Sequence, residues 1–365
     1  MKRRLFFKKD TFTILQAADV QDNAILSLAM RRLLKKAVAF ADPDLIMLTG
    51  DNISGYACRT RALTRCAIRG LMKTLSKCGR PIAAVFGNHD DEDTVFTKDE
   101  QMALYETYTS FVGCAGVTAE MTVNGNTRKN VGTYDLPLYE SETSDRILAE
   151  LWCFDSGTYN PDESIGGYGL VFGEQIDWYR EKSEALEQQE GKKVPGYAFQ
   201  HIAPPQVFDA LREVKRGTPG AVNAYEKAYL LPAGLTEPLQ RLRESPCPPN
   251  PKDPLGHKQF DAFIERGDVK AVFFGHDHIN SFVVPYKGVD LVSSPGCTFS
   301  SYNDDMRGFR IIRIPKSAPE NWETETVTAV SLFQNDPVGR ALLAVHRLMK
   351  KIEYGFDDLK RKLKK

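Results

Sequence analysis

The sequence predicts an α/β protein built on a parallel sheet, and three observations carry that prediction. Short apolar runs alternate with stretches of helical periodicity through the first ninety residues. Each of those runs stops at a polar residue or a glycine-led turn, the mark of strands that end at one sheet edge. At 365 residues the chain has room for one large decorated domain, or for two at the usual ~100–200 residues each.

The elements follow in order. Thr13–Ala17 is strand-like and runs into Asp19, and residues 24–40 place Leu26, Ala29, Leu33 and Val38 at helical spacing. Leu45–Thr49 is a continuous apolar run, as in strands covered on both faces, and it meets Gly50-Asp51. A second helical stretch, 59–78, leads to the strand 81–86 and then to Gly87-Asn88-His89-Asp90. Right-handed crossovers bring the carboxyl ends of such strands to one edge. Further on, 117–123 and 130–138 read as a hairpin around Asn124-Gly125-Asn126, and 146–154 as a strand ending at Asp155. A Gly- and Tyr-rich loop covers 158–170, a helix 174–189, and the strand 196–200 delivers His201. Residues 215–256, rich in Pro and Gly, read as an insertion or lid. The buried strand 269–274 precedes Gly275-His276-Asp277-His278, and short strands follow near 281–285, 289–293, 308–314 and 324–332.

The expected organisation is one domain over 1–335 and a C-terminal basic amphipathic helix over 336–365. In that tail Leu342, Val345, Leu348 and Ile352 recur every three or four residues. They read as a stripe packed on the chain's own domain, with a solvated basic end. The other reading is a weak peripheral contact with a membrane surface or a partner.

Composition narrows the function classes. Hydrophobic residues at 42% and charged residues at 26% exclude disordered and fibrous chains. Lys plus Arg and Asp plus Glu balance at 48 each, so nothing signals a nucleic-acid partner held by counterion release. No run approaches the ~20 apolar residues of a transmembrane segment. The cationic start lacks the ~7–15-residue apolar core of a signal peptide. A cytoplasmic location is the expectation. The seven scattered cysteines, without a Cys-x-x-Cys pair, read as reduced thiols rather than ligands or nucleophiles.

Of six histidines, His89, His201, His276 and His278 lie at strand ends together with Asp19, Asp51 and Asn88, whereas His257 and His346 read as ordinary surface or helix residues. Imidazole nitrogen with carboxylate or amide oxygen, and no thiolate, suits Mn, Fe, Zn or Mg. Seven such side chains are too many for one four-coordinate ion and fit two ions sharing a carboxylate.

These blocks, Asp19-Val-Gln21, Gly50-Asp51, Gly87-Asn88-His89-Asp90, His201 and Gly275-His276-Asp277-His278, resemble the calcineurin-like metallophosphoesterases in order and rough spacing. Leu15–Asp19 and Phe154–Gly157 further resemble its purple-acid-phosphatase-like branch. The resemblance implies a four-layer α/β/β/α sandwich of two mixed sheets holding two divalent or trivalent metal ions. Asp19 and His278 would hold the first ion, Asp51 would bridge, and Asn88, His201 and His276 would complete the second. A metal-bridging hydroxide would attack a phosphate ester, on a small molecule or a phosphoprotein. His89 would protonate the leaving group, and Asp90 would hydrogen-bond its imidazole.

The first block departs from the family's Asp-x-His: Gln21 stands where an imidazole is usual, offering an amide oxygen or leaving the place to water. Gln21 and Asp155 are therefore candidates at the metals or just behind them, Asn303 and Arg307 candidates for phosphate contact, and Tyr159 and Tyr168 for the pocket wall. Two alternatives stand beside this reading. One is a phosphodiesterase or nuclease in the same fold, and the other a degenerate, non-catalytic binding scaffold.

Overall fold

The computed structural model describes residues 4–236 and 238–363, with 353–363 as backbone alone. The cationic residues at the very start and the last two lysines fall outside it. The chain opens with β1 (Leu5–Phe6), β2 (Thr11–Ala17), α1 (Leu28–Ala41), β3 (Leu45–Thr49), α2 (Arg61–Ser76) and β4 (Ile82–Val85). Both helices begin where a hydroxyl can accept from an orphan amide: Ser27 from Met30 N, and Thr60 from Leu63 N. Next come α3 (Lys98–Glu106), β5 (Val117–Val123), β6 (Asn126–Tyr139), β7 (Ile147–Cys153), α4 (Gly173–Glu190) and β8 (Gly196–Phe199). After α5 (Val207–Ala210) come β9 (Arg212–Val214), β10 (Val222–Ala224) and β11 (Lys227–Leu230). The chain continues with α6 (Pro254–Arg266), β12 (Val269–Phe274), β13 (Phe282–Tyr286), β14 (Val289–Ser293), β15 (Gly308–Pro315) and β16 (Glu323–Thr328). It closes with α7 (Ala329–Leu332) and α8 (Pro337–Leu363).

Two mixed sheets face each other. One runs β16-β15-β2-β3-β4, with β2, β3 and β4 parallel. The other runs β1-β6-β7-β8-β12-β14-β13 with β5 beside β6, and in it β7, β8, β12 and β14 are parallel. The period of two along each strand assigns its side chains to layers. Ile14, Met47 and Val85 of the first sheet meet Leu151, Phe199 and Phe273 of the second in the central core. Their neighbours Leu15, Leu48 and Ala84 face α1 and α2 in a second core. Trp152, Ala198 and Val272 face α4 and α6 in a third. The result is the α/β/β/α sandwich of two mixed sheets.

Two regions differ from the sequence reading. The segment read as an unorganised insertion carries β10 and β11, which pair with β9 in a small antiparallel sheet, and ends inside α6. Strands of three or four residues are too short to show a period. In α8, Gly339 and Leu343 face the body, whereas Val345, Leu348 and Ile352, the stripe read as buried, are exposed. Among the described residues no helix is long and apolar enough to cross a membrane.

Candidate metal centre

Asp19, Asp51 and Asn88 follow the carboxyl ends of β2, β3 and β4; His201 follows β8, and His276 and His278 follow β12. The two sheet edges meet, and all six side chains are buried. The turns that aim them are strained. Asp19, Asp51 and His276 have φ of 52°, 50° and 72°, a left-handed conformation that costs a non-glycine residue about 1–3 kcal/mol and gathers at functional sites. The glycines beside them are required by space. A Cβ on Gly87 would sit 2.3 Å from Asp51 Oδ1, and one on Gly50 would sit 2.5 Å from the His201 ring.

Backbone carbonyls set the histidine tautomers. His201 Nδ1 lies 3.0 Å from Thr49 O and His278 Nδ1 lies 2.7 Å from Tyr302 O. A carbonyl only accepts, so each Nδ1 carries a hydrogen and each Nε2 is turned inward. His201 Nε2 then faces Asn88 Oδ1 at 3.1 Å, Asp51 Oδ1 at 3.3 Å and His276 Nδ1 at 3.2 Å. On the other side His278 Nε2 stands 3.4 Å from Asp19 Oδ1 and 2.8 Å from Gln21 Nε2. Gln21 Nε2 also donates to Asp51 Oδ2 at 3.3 Å. Ligand atoms of Asp51, His201 and His276 lie within 4.8 Å of one another, as do those of Asp19, Asp51 and His278, so Asp51 belongs to both groups.

Electrostatics agree that the cluster calls for positive charge. Burial works to lower the His201 pKa, yet the charge of Asp51, a hydrogen bond with it, and Asp19 push it up to about 10. Burial and then His201 drive His276 down to about 3. Burial works to raise the Asp51 pKa, but His201 pulls it below the usual carboxylate range. Nitrogen and oxygen atoms gathered this closely are the donor types that divalent cations take.

The sequence profile of the calcineurin-like phosphoesterase family matches residues 12–280. The chain belongs to that family. It is 27% identical over 282 residues to the probable inactive purple acid phosphatase 29 of Arabidopsis thaliana, covering 74% of this chain and 63% of that protein. It is also 27% identical over 325 residues to the probable inactive purple acid phosphatase 28 of the same plant, covering 82% and 73%. The chain thus spans less than two thirds of the length of the first. A dimetal phosphatase from Danio rerio aligns with a TM-score of 0.48 at 12% identity, over 86% of this chain and 98% of that one.

Around this calcineurin-like centre several expectations need correction. Asp90 does not hold His89. Its carboxylate turns inward to accept from Gly87 N (2.8 Å), Ile53 N (3.0 Å) and Asn52 N (3.2 Å). Burial and the neighbouring Asp51 push its pKa up to about 7. The partner of His89 is Glu92, whose Oε2 lies 2.9 Å from His89 Nδ1. Glu92 Oε1 accepts from Asn88 Nδ2 at 3.0 Å, which turns Asn88 Oδ1 toward His201. Against burial, Glu92 and then Asp51 raise the His89 pKa to about 9. The four-residue spacing of Asn88 and Glu92, on one side of a helical turn, was the available signal.

Asp155 does not orient a histidine either. It is fully buried and pairs with Lys98 Nζ at 2.9 and 3.1 Å, also accepting from Val131 N and Gly157 N. Burial works to lower the Lys98 pKa, but Asp155 raises it above its ordinary value, so the ammonium stays charged. Arg307 is buried under α8, donating to Thr298 O and lying over the Phe299 ring, out of reach of a phosphate. Asn303 braces its loop instead, Nδ2 donating to Gly296 O at 2.7 Å.

Aromatic rings wall the centre. Tyr168 meets His276 edge-on at 4.2 Å between centroids, and Tyr159 stacks on Tyr168 at 5.6 Å. Tyr302, which the sequence did not single out, stacks on His278 at 4.2 Å. Cys247 comes within 4.8 Å of His276 and Asp277, closer than its scattered position suggests. Burial, then Asp277 and Glu244, push its thiol up to about 12 and leave it protonated, a poor metal donor.

Proposed function

We propose that the protein is a metal-dependent phosphoric ester hydrolase whose two cations are held by Asp19 and His278 on one side and by Asn88, His201 and His276 on the other, with Asp51 shared. One observation carries the reading. The Nε2 of His201 faces Asn88 Oδ1, Asp51 Oδ1 and His276 Nδ1 at 3.1–3.3 Å, so four nitrogen and oxygen atoms of metal-ligand type converge on one point. A cation between them would be held by all four, and Thr49 O and Glu92 fix the His201 ring and the Asn88 amide in that orientation. Such a metal pair supplies a water-derived nucleophile at neutral pH and neutralises charge on a phosphoryl group.

The chain's own part is positioning and proton delivery. Thr49 and Tyr302 carbonyls hold the His201 and His278 rings. Glu92 fixes Asn88 and favours the doubly protonated form of His89, whose proton serves the departing oxygen. Tyr168 and Tyr302 cover the ligand rings and keep bulk water from them.

A second reading, a metal-poor scaffold without turnover, is favoured by Gln21. Its amide NH₂ faces His278 and Asp51, where a further donor would strengthen the first site. The name of the plant relatives points the same way. Elemental analysis of the purified protein, beside a panel of phosphate monoesters and bis-esters, separates the readings. Two metal equivalents with hydrolysis are expected, and the preferred ester class tells phosphatase from diesterase. Metal without hydrolysis of any ester would favour the scaffold, and absence of both would overturn the assignment.

A further inference from the structure

We propose that α8 is a membrane-surface helix, which lays an outward apolar stripe onto an anionic lipid bilayer. The proposal is independent of the metal centre. Three contacts fix the inner side of the helix. Asp336 accepts from Gly339 N at 3.1 Å and pairs with Arg32 of α1 through two bonds of 2.6 Å. Leu343 is buried. Gly339 sits against the Phe333 ring so closely that a Cβ there would come within 2.4 Å of it.

At 3.6 residues per turn, Gly339, Leu343 and His346 share one face, and Val345, Leu348, Met349 and Ile352 gather on the opposite one. Those four are 56, 58, 63 and 51% exposed. Single exposed apolar residues are ordinary, but a contiguous row on one element marks a docking surface. The row is turned from the side that Gly339 and Leu343 present to the body, and it is left open to a flat partner. In the sequence Phe356, Leu359 and Leu363 continue the same spacing.

Charge identifies the partner. Residues 337–365 contain nine Lys or Arg against three Asp or Glu, in a chain whose total charge is zero. A second copy would bring two strongly cationic helices side by side, which repel. Anionic headgroups complement that charge while the acyl boundary takes the apolar row. Among the described residues the helix is not long and apolar enough to cross a bilayer, so the proposal places it in the interface.

The test is flotation of the full chain with vesicles of phosphatidylcholine alone or with about 30% phosphatidylserine, at ionic strengths of about 0.1 and 1 M. Binding at least ~10-fold stronger to the serine-lipid vesicles, and release by high salt, is expected. The double variant Leu348→Glu/Ile352→Glu should lose ~10-fold or more of that binding with its thermal midpoint unchanged, since both positions are exposed. Lys351→Glu/Lys360→Glu should weaken the serine-lipid preference without touching the apolar row. Equal binding to both vesicles, no binding to either, or full binding by the apolar-row variant would overturn the proposal. So would a concentration-dependent dimer in light scattering that the same variant abolishes, because the occupant would then be a second copy.

Discussion

Replacing Lys98 by methionine should destabilise the protein by about 3–5 kcal/mol, the usual result of stripping one partner from a buried ion pair. Lys98 lies in the first turn of α3, 3% exposed, with its ammonium 2.9 Å from an Asp155 carboxylate that is 0% exposed. At an effective dielectric of about 20 the attraction over that distance is on the order of 6 kcal/mol, a ceiling consistent with the range above. Methionine matches the length of the stem but carries no charge. Asp155 would keep its bonds from Val131 N and Gly157 N while losing its cation. Urea unfolding, with the slope held constant between variants, reads the loss directly. The second arm is Asp155→Asn added to Lys98→Met, which removes the stranded charge and should recover part of the stability. Metal content measured in parallel should stay at the wild-type value. Unchanged stability, or metal lost from a fully stable variant, would refute the argument and return Asp155 to the metal rim.

The remaining predictions concern the centre itself. Asn88→Ala and His276→Ala should each remove bound metal and abolish hydrolysis; retention of both by either variant, on elemental analysis and ester turnover, would remove the ligand assignment. His89→Ala should keep metal and slow kcat by about 10²–10⁴, the usual worth of a general acid. Glu92→Gln should move the alkaline limb of the kcat/KM profile to lower pH. Its carboxylate raises the His89 pKa, so the protonated form is present below that pKa and is lost earlier as pH rises once the carboxylate is gone; a limb that stays in place would exclude the pairing. Gln21→His should tighten the weaker metal in a chelator competition, and unchanged affinity would mean that residue 21 contributes no donor.

What the sequence revealed followed from burial. Leu45–Thr49, Val269–Phe274 and Val289–Ser293 are buried strands whose limits match the structure, the first a continuous apolar run and the other two interrupted by one charged residue each, Lys270 and Asp290. The six ligands were legible because each follows such a run by one to four residues. Helix α3 was missed although Thr97 and Glu100 form a capping box, because few apolar residues mark its face. Helix α6 was hidden by the proline-rich run that supplies its first residue, Pro254. Asp90 was assigned to His89 by adjacency, but in a single helical turn neighbours point apart and the residue three further on comes round. Arg307 was misplaced because its burial depends on α8 docking from 30 residues later, which no local pattern announces.

The six donors are divided evenly, three from loops of the five-stranded sheet and three from loops of the eight-stranded one. Cations seated there would clasp the halves of the sandwich together, so loading could only follow the docking of one sheet on the other. Chelation should then loosen the whole molecule rather than a single loop, and the melting point should climb with free metal concentration. Neither half, severed from its counterpart, would own enough of the coordination shell to keep an ion.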